Sequence, residues 1–377
     1  MSTRKLRVGI FGRGTSPTDG GADTLLAMIE RSVPSQVDQA SIELVPVPWA
    51  AWSHRRRPLR YLWCRIVRGF GGELPLVDLR PVCRRFSLDL AYFAAPAFAH
   101  IDIPFVFTLW DIGHRTIPDF PEMRSGRDPW THREALCRRM LAQASFVITG
   151  NSAGAAEAVG FYGLDPQKVV PLPFPNPDFA EVAEAIPAGM PAGPFLLYPA
   201  QGWPHKNHHT LLQALAVLKH RGQGVPRLVL VGSDKGNWAH VRGTARTLGV
   251  ADRVHVLGFV SRAELMGLYR RALALVFPSL LGPNNLPPQE AAVLGCPMIL
   301  SDLPGHREQL GDGALYADPM DAPAWADAIG VLAASDEARI ALAARARQAV
   351  SGYTQEAYAA RLGQLLEQLA RRRLLWD

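Results

Sequence analysis

Twelve apolar runs of strand length, each followed by a longer amphipathic stretch, leave this chain few folds to choose from. In the first half the runs are Leu6–Gly12, Ile42–Val47, Leu88–Phe93, Pro104–Leu109, Phe146–Thr149 and Val169–Leu172. In the second they are Phe195–Tyr198, Arg227–Val231, Val254–Leu257, Ala272–Phe277, Met298–Leu300 and Ala314–Tyr316. Nearly unbroken apolar character marks parallel strands covered on both faces, and alternation with helical periods gives the α/β class with open parallel sheets. At 377 residues the chain is too long for one such domain and suits two. Six prolines fall between Pro173 and Pro194, with few large apolar residues among them, so a linker belongs there. The expected organisation is a Rossmann-like domain over 1–178, a linker over 179–194, a second Rossmann-like domain over 195–353, and a helical stretch over 354–377 packing back toward the N-terminal domain. The two parallel sheets are expected to face each other across a cleft, with a ligand beyond the carboxyl ends of the strands.

Composition narrows the class further. A hydrophobic fraction of 48% with 20% charged residues is that of a globular protein. No charge-free apolar run reaches the length of a spanning helix. The opening MSTRKLRVGIFGRG leads into a run too short for a signal-peptide core. Cys64, Cys83, Cys137 and Cys296 are scattered without a CxxC pair, which reads as reduced thiols and a cytoplasmic setting. The net charge of +6 keeps nucleic acid, anionic lipid and phosphorylated small molecules open as partners. Between Trp49 and Arg68 four aromatics (Trp49, Trp52, Tyr61, Trp63) interleave with six arginines and no acidic residue. That stretch is either a solvated basic helix or a lip for an anionic membrane surface, which would place the protein at the inner face of the plasma membrane. No nucleic acid partner is expected, because no zinc finger, helix-turn-helix or RNP pattern accompanies the patch.

Two segments concentrate residues suited to anion chemistry. In ALALVFPSLLGPNNLPPQEAAVLGCPMIL a buried strand ends at Phe277, and a helix is expected to start near Pro288 and to close at Gly295. Free N–H groups at such a start form an anion site. Glu290, expected in the first helical turn, either complements the helix dipole or accepts hydrogen bonds from ribose hydroxyls. In FLLYPAQGWPHKNHHTLLQAL a strand runs into a loop, and Lys206 stands just before the next helix, placed to meet a phosphate or to be solvated. His205, His208 and His209 lack a fourth partner at metal spacing, so no metal is expected.

These residues resemble glycosyltransferase family 4, the retaining group-1 transferases with the GT-B fold. The resemblance covers most of 195–320: KN followed by LLQAL, LVLVGSD (228–234), VHVLGFVSRAELMGLYRRA (254–272), the loop from Pro278 to Glu290, and SDLPGHREQLGDGALYADP (301–319). It implies that Lys206 grips a donor diphosphate, that the Gly258–Phe259 turn edges the base, and that Glu290 holds the ribose. It further implies that the amides of Asn284, Asn285 and Leu286 face the phosphates and the donor sugar. Two family residues are replaced: the Glu expected ahead of Glu290 is Gly282, and the Arg expected before the lysine is Gln201. GPNNLPPQEA is similar to a variant within the family in which Asn284 or Asn285 stands in. The N-terminal half is similar at Gly20–Gly21, an acceptor loop by resemblance or simply a turn. It is similar again at FTLWDIGHRTIPDF (107–120), where Asp111 and His114 match a catalytic segment and Trp110 replaces its first His, and at FVITGNSAGAAEA (146–158).

The chain contains no Asp-x-Asp, so protein charge and backbone amides rather than a metal are expected to stabilise a leaving diphosphate. The expected activity is retaining transfer of a hexosyl or deoxyhexosyl group from a nucleotide sugar to a lipid-linked surface polysaccharide, with no further cofactor. A nucleotide-sugar epimerase would convert donor without acceptor. A non-catalytic nucleotide-sugar-binding protein would consume none.

Overall fold

The computed structural model describes residues 5–12, 28–29, 31–48, 77–124, 130–180, 182–373 and 375. The basic aromatic stretch over 49–68, together with Gly20 and Gly21, lies outside the described residues. The chain divides into two compact units, one formed by Met1–Pro118, Met123–Pro175 and Tyr353–Asp377, the other by Asp119–Glu122 and Asn176–Gly352.

In the first unit β1 (Leu6–Phe11), β2 (Ile42–Val47), β4 (Leu90–Phe93), β6 (Phe105–Leu109), β7 (Phe146–Thr149) and β8 (Val169–Pro171) form one sheet in the order β2-β1-β4-β6-β7-β8. Every pairing in it is parallel. β4, β6 and β7 are buried along their whole length, as strands covered on both faces must be. Phe11 stacks on Phe93 at 5.1 Å, and Phe105 meets Phe93 edge-on at 5.5 Å. A second parallel pair, β3 (Val77–Asp78) with β5 (Ala99–His100), is too short to leave a periodic signal in sequence.

The helix Gln355–Arg373 belongs to this first unit, although it lies last in the chain. Tyr358 on that helix is buried, and its hydroxyl lies 3.0 Å from the hydroxyl of Tyr92 on β4, which lies 3.1 Å from Thr108 Oγ1 on β6. Three buried hydroxyls therefore satisfy one another inside an otherwise apolar core. Tyr358→Phe should lower stability by about 1 kcal/mol, measured by denaturant titration, because it strips one partner from that chain. An unchanged midpoint would mean the hydroxyls are satisfied without it.

In the second unit β9 (Phe195–Pro199), β10 (Arg227–Val231), β11 (Val254–Gly258), β12 (Ala274–Phe277), β13 (Met298–Ser301) and β14 (Leu315–Ala317) run in the order β11-β10-β9-β12-β13-β14. Again every pairing is parallel. Counted within the unit this is the order 3-2-1-4-5-6 of a dinucleotide-binding sheet, which reverses direction between β9 and β12. Residues 179–194, expected as a linker, are counted with this unit and tied to the helix Arg262–Arg271. Ala185 N donates to Ala263 O at 3.1 Å, and Glu184 pairs with Arg270 at 2.9 Å and with Arg271.

Three element starts differ from expectation by two residues, for local reasons. Leu88 N–H closes the preceding helical segment on Cys83 O (2.9 Å), which delays β4 to Leu90. Ala272 N–H likewise closes the helix Arg262–Arg271 on Leu268 O, which delays β12 to Ala274. The helix Leu286–Leu294 begins two residues before Pro288, so Glu290 lies past its first turn rather than within it. The helix-dipole reading of that carboxylate loses its basis, since the dipole's effect fades within the first turn.

Candidate functional site

Lys206 and the start of the helix Leu286–Leu294 follow the carboxyl ends of β9 and β12, where the strand order reverses. Lys206 arrives there through a loop fixed at several points. The Tyr198 hydroxyl, on β9, donates to Lys206 O at 2.6 Å. Leu280 N–H, in the loop after β12, donates to His205 O at 3.0 Å. Asn207 takes a left-handed conformation (φ 54°), which a short polar side chain tolerates. Its Nδ2 donates to Pro278 O (3.2 Å) and Pro319 O (2.7 Å), tying the loops after β9, β12 and β14 together.

With the backbone held, the ammonium of Lys206 reaches across to the β12 side. It donates to Ser279 Oγ at 3.3 Å and to Asn285 Oδ1 at 3.5 Å, and stands 5.3 Å from the ring centre of Phe277. Asn285 is the N-cap of the helix Leu286–Leu294, and its side chain makes no capping hydrogen bond. Pro287 and Pro288 carry no N–H, so the donors at this helix start are the amides of residues 284–286. No hydrogen bond ties the N–H groups of Asn284, Asn285 and Leu286 to another of the described residues. The Lys206 ammonium thus lies beside the N-cap residue of this helix, a cation next to a helix N-terminus, the elementary requirement for holding a diphosphate.

Glu290, half-buried one turn further along, accepts a hydrogen bond from the Tyr269 hydroxyl at 2.8 Å. Burial pushes its carboxyl above the ordinary range, opposed by that hydroxyl and by the charge of Arg262. Gly258 ends β11 at φ 72°, and the Phe259 ring beyond it is 63% exposed, a face open to a planar partner. Gln201 turns its amide onto its own loop, where its Oε1 accepts from Trp203 Nε1 at 2.9 Å.

The residue at 282 matters through its missing side chain. A Cβ built on Gly282 would come within 1.7 Å of Asn285 Nδ2. Any side chain here, the family's glutamate included, would displace the Asn285 amide from beside Lys206. The glycine at 282 and the position of the Asn285 amide are therefore one packing arrangement.

In the first unit Asp111 follows β6, accepts from Gly113 N at 2.8 Å and pairs with Arg133. His114 is fully buried, its Nε2 lying 3.2 Å from Glu134 Oε2 and 3.1 Å from the Tyr162 hydroxyl. Burial works against the Glu134 anion, yet hydrogen bonds from Arg115 and Tyr162 hold its carboxyl at about 2. Burial, with the Arg133 charge, lowers the His114 ring below its ordinary range against the pull of Glu134, and the surroundings make it a member of an enclosed network. Sequence reasoning passed over Asn207, Ser279 and Tyr269. Only the Asn207 side chain, a turn former at a helix start, carried a local signal.

Comparison with known proteins places these features in context. Residues 189–349 match the family described as glycosyl transferases group 1. The O-antigen chain mannosyltransferase RfbU of Salmonella typhimurium is 34% identical over 135 residues, which are 36% of this chain and 37% of that protein. The chain spans 37%, 40% and 60% of the length of three curated relatives it matches. Sucrose-phosphate synthase from Thermosynechococcus elongatus has a similar fold, with a TM-score of 0.69 at 18% identity over 97% of this chain and 99% of that one. Anabaena Alr3699/HepE, solved in complex with UDP, superposes with a TM-score of 0.63 at 17% identity over 97% of this chain and 100% of that one.

Proposed function

We propose that this protein, whose residues 189–349 belong to the group 1 glycosyl transferases, moves a hexosyl or deoxyhexosyl group from a nucleoside-diphosphate sugar to a glycan acceptor. The observation that carries the reading is the convergence of the Lys206 ammonium on the N-cap of the helix Leu286–Leu294, at the switch point of the sheet. In the reaction the bond from the anomeric carbon to the diphosphate oxygen breaks, and its electron pair leaves with the diphosphate. The acceptor hydroxyl bonds to that carbon and passes its proton to the departing diphosphate oxygen. Lys206 and the amides of residues 284–286 face the charge as it builds on the leaving group, where preorganised donors act most strongly. The reading assigns no metal to the site.

Glu290 accepts the ribose hydroxyls in this scheme, held by Tyr269, while the Gly258–Phe259 turn borders the base. By family resemblance Gly20–Gly21 remain assigned to the acceptor side and Asp111 to a catalytic segment; retention of configuration and a lipid-linked acceptor rest on the same resemblance. The arginine-rich stretch over 49–68, with its tryptophans, supports contact with an anionic membrane surface. A mannosyl donor agrees with the name of the Salmonella relative.

Thermal-shift screening against UDP, GDP, TDP and their sugars tests the central reading, with at least one diphosphate expected to raise the melting temperature. Glu290→Ala should then weaken that nucleotide about tenfold or more by calorimetry while leaving the fold intact. Unchanged affinity would take Glu290 out of the ribose site.

A further inference from the structure

We infer that His306 is a positioning residue for the Lys206 ammonium, acting through the side-chain amide of Asn285. The inference deepens the proposed function and rests on it. His306 opens no route to solvent: it is fully buried in the helix Pro304–Leu310, with its ring edge-on to Phe277 at 5.8 Å. Its two ring nitrogens have opposite tasks. Nδ1 lies 2.8 Å from Ser301 O, a carbonyl that can only accept, so Nδ1 carries the proton. Nε2 is then a lone pair, and it lies 2.9 Å from Asn285 Nδ2, which donates to it.

That donation decides which way the amide points. With Nδ2 turned to His306, and also toward Leu281 O at 3.5 Å, Asn285 Oδ1 faces the Lys206 ammonium. A flipped amide would set its oxygen against the His306 lone pair and its NH2 group against a cation, and both contacts would become repulsive. Gln309 Nε2 fixes the backbone of the same residue by donating to Asn285 O at 3.1 Å. Gly282 leaves the amide room to sit there. One polarised chain thus runs from the Ser301 carbonyl through His306 and Asn285 to Lys206, and it needs a neutral imidazole. Burial, aided by the Lys206 charge and opposed by the bond to Ser301, lowers the ring to about 4 and keeps it neutral at physiological pH.

The test measures affinity of the full chain for UDP, GDP and TDP by calorimetry, with thermal melting as the control for fold. Lys206→Ala must weaken the diphosphate that binds wild type. If it does not, or if none of the three binds, the diphosphate reading fails and the role of His306 falls with it. Given that result, His306→Leu should weaken binding about tenfold, because the amide loses its anchor. His306→Gln, which returns an acceptor near the Nε2 position, should recover affinity to within about threefold. In the double variant with Asn285→Ala, His306→Leu should add nothing to the loss from Asn285→Ala alone. Full affinity in His306→Leu, equal loss in the Leu and Gln variants, or multiplying losses in the double variant would each overturn the inference. A merely structural histidine would move the melting temperature without that pattern of rescue and coupling.

Discussion

Lys206→Ala should cut turnover by about 10²–10³ in a transfer assay run below saturation. The magnitude follows from the loss of one preorganised donor to a charge that develops in the transition state, about 2.7–4 kcal/mol of barrier. The loop around Lys206 is pinned by backbone bonds, to Tyr198 and from Leu280, that do not pass through the ammonium. Removing the side chain should therefore leave the loop in place and subtract the cation. Lys206→Met, which keeps the length without the charge, should lose nearly as much. Turnover within threefold of wild type in both variants would exclude Lys206 from the chemistry.

The second large effect expected is acid lability well above the carboxylate range. His208 packs between Tyr198 and Trp238, 4.8 Å from each ring centre, and neither of its ring nitrogens has a hydrogen-bond partner among the described residues. Burial, with the charges of Lys206 and His205, lowers it to about 3. His306 lies at about 4 for the reasons given above. An unfolded histidine titrates near 6.5, so between that pH and the folded values the unfolded chain binds more protons than the native one. The stability these two residues confer is complete above about pH 6.5 and is lost as the pH falls toward their native values. Between pH 7.5 and 5 each should cost about 2 kcal/mol, or about 4 kcal/mol together. Urea titrations at the two pH values measure the loss, and His208→Leu should remove about half of it. An identical pH dependence in that variant would show that His208 is not the group responsible.

The sheets were legible in the sequence because a strand buried on both faces leaves a mark that is local and repeated. Leu228–Val231 and Leu196–Tyr198 are apolar without interruption, and they form the centre of the second sheet. The helix after β12 was legible too, through Gly295 at its close and the prolines at its start. The sequence pattern puts its first residue two positions late, because Pro288 marks a helix start although Pro287 and Leu286 also sit in the first turn. That shift of two residues moved Glu290 out of reach of the helix dipole and into a bond with Tyr269, 21 positions away. His114 was ambiguous for a different reason. A histidine after a strand looks the same in sequence whether it faces a ligand or a buried carboxylate, and Glu134 lies 20 positions further on.

Local pattern along the chain sets the α/β class, the strands, the place of Lys206 just before a helix, and a family resemblance concentrated in residues 195–320. Each of these rests on neighbours along the chain: hydrophobic period, turn chemistry, motif spacing. The meeting of Lys206 with Asn285, 79 positions away, and the place of His306 behind that amide arise only in the folded chain. These contacts depend on the strand order, which sets β9 beside β12 although β10 and β11 lie between them in the chain. Parallel pairing then brings two loops to the same edge, and side chains with no local relation come within hydrogen-bonding distance.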